Sequence, residues 1–160
     1  MRSLPAQGII MRVVVQRVKK ASVEVAGEVV SKIGCGFLIL LGIESEDSQI
    51  DIDWLCAKIL KLRVFADEND AMNNSILDVQ GDIIVVSQFT LHASIKKGNR
   101  PSFIKAARPE VAIPLYEAFV KQLETEVGKK VQTGVFGAMM EVALINDGPV
   151  TIFIDSKNKE

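Results

Sequence analysis

One histidine, His92, is the only side chain in this sequence with an ordinary pKa near neutrality. A Ser-His-Asp arrangement would have to recruit it, and no G-x-S-x-G elbow presents a serine. The two cysteines, Cys35 and Cys56, lie in apolar settings without metal spacing. They read as buried free thiols in a reducing cytoplasm. No His/Cys/Asp cluster has ligand spacing, so no metal is expected. No G-x-x-x-x-G-K-[ST] or G-x-G-x-x-G loop offers a phosphate cradle, and no cofactor is expected.

Two polar patches remain inside apolar sequence. The first is Ser87-Gln88-Phe89-Thr90-Leu91, directly after Ile83-Ile84-Val85-Val86. Continued as strand, it puts Ser87 and Phe89 on one face and Gln88 and Thr90 on the other. Polar groups so deep in a strand must be paired or used, unless that face is solvated. The second patch is Asn146-Asp147-Gly148-Pro149-Val150-Thr151, set between two apolar, β-branched runs. Proline lacks an N–H and interrupts a ladder, so it belongs at an edge, a strand start or a bulge. Two readings are open: a tight turn before the last strand, or a display of the Gly148 and Pro149 carbonyls to a ligand. A cis Gly-Pro bond, which is inexpensive, turns the flanking carbonyls to one side.

Between the patches runs Lys96-Lys97-Gly98-Asn99-Arg100-Pro101-Ser102-Phe103-Ile104-Lys105-Ala106-Ala107-Arg108, and no acidic residue occurs from Ile83 to Pro109. Local positive charge of this kind suits phosphate contacts, and it also suits a merely solvated loop. Gly98 and Gly137 offer places of close backbone approach.

These segments need a frame. The chain has 160 residues, 48% of them hydrophobic, which supports one domain with a real core. A net charge of −1 provides no global attraction to nucleic acid or membrane. The longest apolar run, Phe37 to Ile43, is too short to span a bilayer, and no secretory signal is visible, so a cytoplasmic location is expected. Residues 1–10 read as an extension outside the fold, and 11–160 as one domain. Strands are predicted at Arg12–Val18, Ala21–Ala26, Val29–Ile33, Phe37–Ile43, Ile83–Leu91, Lys130–Phe136, Met139–Ile145 and Val150–Ile154. Asp47 and Ser48 are candidate caps for a helix with the stripe Ile52, Leu55, Ile59 and Leu62, with Trp54 beside it in the core. Asp67 to Ser75 reads as loop. A second helix is predicted over about Val111–Val127 on Ala112, Leu115, Phe119 and Leu123, with Pro114 tolerable only in its first turn. The expected fold is α+β: a largely antiparallel or mixed sheet curling into a partly open barrel with two packed helices.

Taken together, Met11-Arg12-Val13-Val14-Val15-Gln16-Arg17-Val18, Ser87-Gln88-Phe89-Thr90-Leu91, Lys97-Gly98-Asn99-Arg100-Pro101-Ser102-Phe103, Gly134-Val135-Phe136-Gly137-Ala138-Met139-Met140 and Asn146-Asp147-Gly148-Pro149-Val150-Thr151 resemble the D-aminoacyl-tRNA deacylase family, also called D-tyrosyl-tRNA deacylase. The likeness covers Met11 to about Asp155, and the family pattern lacks the first ten residues.

The resemblance implies a homodimer with each active pocket at the subunit interface. It implies a substrate, the 3′ end and acceptor stem of aminoacyl-tRNA, whose D-ester is hydrolysed as chiral proofreading. Gly148 and Pro149 become a chiral gate, cis and inserted into the partner's pocket, with Arg17 holding them. Carbonyls that crowd the α-carbon reject an L side chain, accept many D-amino acids and let achiral glycine through, including glycine mischarged on alanine tRNA. Ser87, Gln88, Phe89 and Thr90 line the reaction centre, with backbone N–H groups near Gln88 and Phe89 as an oxyanion pocket. Thr90 as a nucleophile lacks a base, and the resemblance implies that the terminal adenosine's 2′-hydroxyl assists instead. Phe136, Gly137 and Met140 match the segment around the terminal adenine, with apolar packing the other reading of Met140. Lys96, Lys97 and Arg100 are assigned to acceptor-stem phosphates by charge rather than by motif. Two alternatives stand beside this: a non-catalytic β module that binds tRNA ends, and a related deacylase of relaxed chirality.

Overall fold

The computed structural model describes residues 11–158, so the expected extension over 1–10 lies outside the described residues. The two strands expected over Arg12–Val18 and Ala21–Ala26 form one strand of 14 residues, β1 (Arg12–Val25). Its first half pairs antiparallel with β3 (Gly36–Gly42) and its second half with β2 (Glu28–Ile33). Along its other edge runs β8 (Glu141–Asp155), which merges the two last strands expected from the sequence. The polar Lys19-Lys20 step that looked like a break is a bulge. Val18 faces Asn146 and Lys20 faces Ile145, so Lys19 has no opposite residue.

That extra residue reverses the inside/outside alternation of the strand. Val13 and Val15 face the helices before it, while Val18, Ala21 and Val23 join a second cluster made by strands alone. The sheet runs β2-β1-β3-β6-β7, with β6 (Asp82–Ser87) parallel to β3 and β7 (Gln132–Thr133) parallel to β6. Ser31 on β2 donates to the Thr133 carbonyl on β7 across the seam. The mixed sheet is thus nearly closed into a barrel with one seam, as the α+β expectation had it.

Parallel neighbours need long crossovers, and two helices supply them. Between β3 and β6 comes α1 (Gln49–Lys61), and between β6 and β7 comes α3 (Pro109–Val127). They pack on each other and on one face of the sheet, burying Ile52, Leu55, Ile59, Phe119 and Leu123 against Phe37, Ile39 and Val85. Each such side chain contributes about 1.5–3 kcal/mol. A third helix, the short α2 (Ile76–Val79), was not expected, nor was the small hairpin of β4 (Phe65–Ala66) with β5 (Met72–Asn74), of which β5 falls inside the predicted loop. Trp54 is half-buried against the core, and Tyr116 rather than Leu115 is the buried member of the α3 stripe.

Three expectations fail. Pro114 lies well inside α3, which starts five residues earlier with Pro109 in its first turn. The carbonyl left without its helical partner belongs to exposed Glu110, at the solvated end of the helix. The strand expected to run from Ile83 to Leu91 stops at Ser87, and the one expected over Lys130–Phe136 shrinks to Gln132–Thr133.

A polar cluster closes the end of the sheet beneath α1. Asp51 accepts from the Ser48 N–H at 2.9 Å, Ser156 Oγ at 2.7 Å and Lys157 Nζ at 2.7 Å. Burial alone would raise its pKa, but those three bonds hold it below the usual carboxylate value. Asp47 is not the helix cap; its Oδ2 accepts the Glu44 N–H at 2.7 Å. Loss of solvation pushes its pKa up to about 7. Between about pH 4 and 7 the folded protein therefore holds a proton on Asp47 that the unfolded chain releases, so this group's contribution to stability falls as pH rises through that window. Asp47→Asn is expected to be more stable than the parent at pH 8, with the gain vanishing toward pH 4, as read by urea denaturation at both values.

Candidate active site

The S-Q-F-T-L segment leaves the sheet because its partner ends. Ser87 pairs with Leu41 at the last register position of β3, and the next N–H, that of Gln88, donates to the Leu41 carbonyl at 2.8 Å. The chain then turns through a 3-10 helix, Phe89–His92. The alternation of faces expected for a continuing strand does not hold there. Gly42 lies beneath the turn: a Cβ at that position would stand 2.9 Å from Leu91 Cβ and 3.1 Å from both the Gln88 carbonyl and His92 Cδ2. Only glycine lets the turn sit this close.

Against the turn lies the F-G-A-M-M segment. Ser87, Gln88 and Phe89 form one wall, and Phe136, Gly137 and Met140 the other, of a cleft of about 300 Å³. Two sequence groups separated by some fifty residues thus meet in a single chain. Met140 lines the cleft and also packs against the strand-only cluster, which is its apolar-packing reading. Thr90 is not part of the lining; its Oγ1 accepts from the Gln88 side-chain amide. Phe136 is braced from behind by Tyr116, ring centres 5.9 Å apart and edge-on at 64°. The Tyr116 hydroxyl donates to the Val85 carbonyl at 2.7 Å, and burial pushes its pKa up to about 12.

No residue lining this cleft is ionisable: Val86, Ala138, Met139 and Val142 complete it. His92 sits in the turn but is 2% exposed. Its Nδ1 is 3.2 Å from Glu44 Oε1, near enough for an ion pair but not aligned as a hydrogen bond. Burial lowers the His92 pKa, which favours the neutral ring. The chemistry the cleft can supply is main-chain hydrogen bonding. The Gln88 N–H is already engaged, which removes it from the expected oxyanion pocket. Phe89 and Thr90 carry the first two N–H groups of the turn, and those reach no carbonyl within it.

The Gly-Pro segment lies elsewhere in the same chain. Gln16 faces Thr151 and Val18 faces Asn146, so residues 147–150 pass opposite Arg17 alone. They bulge from the strand, with Gly148 and Pro149 exposed and their peptide bond cis. Neither is among the residues lining the cleft. Arg17 grips the base of the bulge: Nε donates to the Asp147 carbonyl at 3.1 Å and lies 3.5 Å from its carboxylate, while Nη1 reaches the Val64 carbonyl. Asn146 ties off the other side, accepting the Val150 N–H at 3.1 Å and donating to Thr151 Oγ1 at 2.9 Å. Sequence reasoning passed over Asn146, although a side chain of this type before a Gly-Pro pair is a turn-forming signal.

Lys96, Lys97 and Arg100 stand exposed on a loop closed by paired backbone bonds between Ser94 and Ser102, both 2.8 Å. Phe103 anchors that loop to the turn, its ring 4.9 Å from that of Phe89 and edge-on. Phe103 had been noted only as part of a motif; its partner was not legible. Among the described residues, no group of three or more His, Cys, Asp or Glu is placed to hold a metal ion.

The model of the family described as D-Tyr-tRNA(Tyr) deacylase matches residues 14–155. This chain belongs to that family. The D-aminoacyl-tRNA deacylase of Flavobacterium johnsoniae is 67% identical over 150 residues, covering 94% of this chain and all of the relative. That of Bacteroides thetaiotaomicron is 63% identical over the same shares. Among solved structures, one titled c-Myc DNA Unwinding Element Binding Protein has a TM-score of 0.82 at 45% identity, covering 89% of this chain and 97% of its own. Another, titled as a probable eukaryotic D-amino acid tRNA deacylase, has a TM-score of 0.81 at 18% identity, covering 92% and 100%, and speaks to the fold alone.

The bulge has one glycine that a side chain cannot replace cheaply. Gly148 has φ of +123°, and a Cβ there would stand 2.8 Å from Arg17 Nη2 and 3.0 Å from Val150 Cγ2. Gly148→Ala is expected to cost about 1–3 kcal/mol in urea denaturation, since it adds strain and displaces the Arg17 grip together.

Proposed function

We propose that this protein hydrolyses the ester bond of D-aminoacyl-tRNA, releasing the free amino acid and tRNA, and that it selects D over L with main-chain atoms. The observation that carries the reading is the cleft itself, which joins the S-Q-F-T and F-G-A-M-M segments and contains no ionisable side chain. Ester hydrolysis develops negative charge on the carbonyl oxygen, and backbone donors in a largely apolar cleft stabilise it. The N–H group of Phe89 is assigned that task. Ser87 and Gln88 shape the wall, and Thr90 positions rather than attacks, because the amide that reaches its hydroxyl is no base. The terminal adenine rests against Phe136, Gly137 and Met140, with the adenosine 2′-hydroxyl assisting. Lys96, Lys97 and Arg100 contact acceptor-stem phosphates.

The gate comes from a second copy. Gly148 and Pro149 are exposed on an edge strand and do not line their own cleft, and that strand also exposes Ile145 and Phe153, at 47% and 57%. A homodimer that covers this edge carries the bulge into the partner's cleft. There the Gly148 and Pro149 carbonyls crowd the α-carbon, so an L side chain is excluded and hydrogen is accepted. Glycine carries no side chain to exclude, so glycyl-tRNA formed on alanine tRNA is a further substrate. The site of action is the cytoplasm. Among the described residues no helix is long and apolar enough to cross a membrane.

Incubation with D-tyrosyl-tRNA and L-tyrosyl-tRNA tests the reading. Loss of the D-ester at a rate at least about a hundredfold above that of the L-ester is expected. Retention of both supports the non-catalytic tRNA-end module instead, for which the exposed basic loop is the supporting observation. Hydrolysis of both supports the relaxed deacylase. Arg17→Met, which frees the base of the bulge, is expected to raise L-ester hydrolysis while the D-ester rate changes less. KM for the D-ester is expected to rise severalfold between about 50 and 200 mM salt, and less in a Lys96, Lys97, Arg100 triple alanine variant.

A further inference from the structure

A guanidinium outside the cleft reaches the far end of the catalytic turn. Arg12 opens β1, and its Nη1 donates to the Leu91 carbonyl at 2.7 Å, across 79 positions of sequence. Its Nε lies 3.5 Å from Asp155 Oδ2 at the end of β8, and the guanidinium stands 5.8 Å from the centre of the Phe153 ring. The Asp155 carboxylate is itself fixed, its Oδ1 accepting the N–H groups of Lys157 at 2.8 Å and Asn158 at 3.1 Å. Asp155 is 6% exposed, so its carboxylate is largely shielded from solvent. One side chain therefore joins the start of the central strand, the end of the strand that carries the bulge, and the turn that walls the cleft.

We infer that Arg12 is a positioning residue for the deacylation reaction, holding the Phe89–His92 turn in the register that aims the Phe89 N–H into the cleft. The inference rests on the function proposed above. At its near end the turn is held by the Gln88 N–H on the Leu41 carbonyl and by Gly42 beneath it. At its far end Arg12 donates to the Leu91 carbonyl, beside the buried contact of His92 with Glu44. Its five donors and planar fork let a single arginine serve Leu91 and Asp155 together, which an ammonium on a flexible stem does less well. A displacement of the turn by a fraction of an ångström lengthens the bonds to a developing oxyanion, and misplacement of about 1 Å costs on the order of a hundredfold in rate. Substrate affinity, carried by the adenine wall and the basic loop, is left in place.

Single-turnover and steady-state deacylation of D-tyrosyl-tRNA by Arg12→Met, Arg12→Lys and Asp155→Asn tests this. Arg12→Met is expected to lower kcat by about tenfold or more with KM within about twofold, and Arg12→Lys to recover part of the loss. Asp155→Asn keeps the bond to Leu91 and is expected to lower the thermal midpoint while leaving kcat near the parent's. An unchanged kcat in folded Arg12→Met overturns the inference, as does an equal kcat loss in Asp155→Asn. A rise in KM that accounts for the whole effect overturns it too. Should Arg12→Met not fold, Arg12→Gln, whose amide falls short of Leu91, is read by the same criteria. If the parent protein leaves the D-ester intact, it is the proposed function that fails, not the placement of Arg12.

Discussion

Four residues must pass where the neighbouring strand offers one, and most of what is distinctive here follows from that mismatch. Residues 147–150 face Arg17 alone. An edge strand can absorb the excess by bulging outward, because its outer side has no partner to lose. A bulge of this size would wander without support. Arg17 and Asn146 supply it from opposite sides, with a guanidinium on the Asp147 carbonyl and an amide spanning Val150 and Thr151. The result is an exposed piece of backbone tied at both ends by side-chain hydrogen bonds.

The same principle governs the cleft. Nothing that titrates lines it, which leaves peptide groups and the uncharged Ser87 and Gln88 side chains as its polar atoms. Peptide groups are only as well aimed as the structure beneath them. Gly42 admits the turn, Leu41 holds its start, Arg12 its end, and Phe103 packs against its exposed ring. Tyr116 does the corresponding work behind Phe136. The one histidine, adjacent in sequence and thus the obvious suspect for acid–base work, is withdrawn into a buried contact with Glu44.

The helices owe their position to the sheet rather than to their own amphipathicity. Both are crossovers between parallel neighbours, and both cover the same face. The other face closes on itself through the Lys19 bulge, which turns Ala21 and Val23 inward beside Val18. A single unpaired residue thereby converts a twisted sheet with one apolar face into a nearly closed barrel with two cores.

Local sequence was enough for the α+β class, the β1–β2 hairpin, the buried run of β3, the stripe of α1 and the family to which the chain belongs. Those features are written in periodicity, turn chemistry and short strings of residues that neighbours in sequence decide. Local sequence was not enough where a partner far along the chain decides. The continuity of β1 past Lys19-Lys20, the early end of β6 and the tolerance of Pro114 inside α3 all depend on what lies opposite or beneath. The site divides in the same way. The strings S-Q-F-T, F-G-A-M-M and N-D-G-P stood out in the sequence as candidates. That Ser87 to Phe89 meet Phe136 to Met140, that the Gln88 N–H is already taken, and that Gly148 and Pro149 do not line their own cleft were decided by strand register and by the packing of a turn on Gly42. Hydrogen bonds between strands are blind to side-chain identity, so tertiary structure alone could place them.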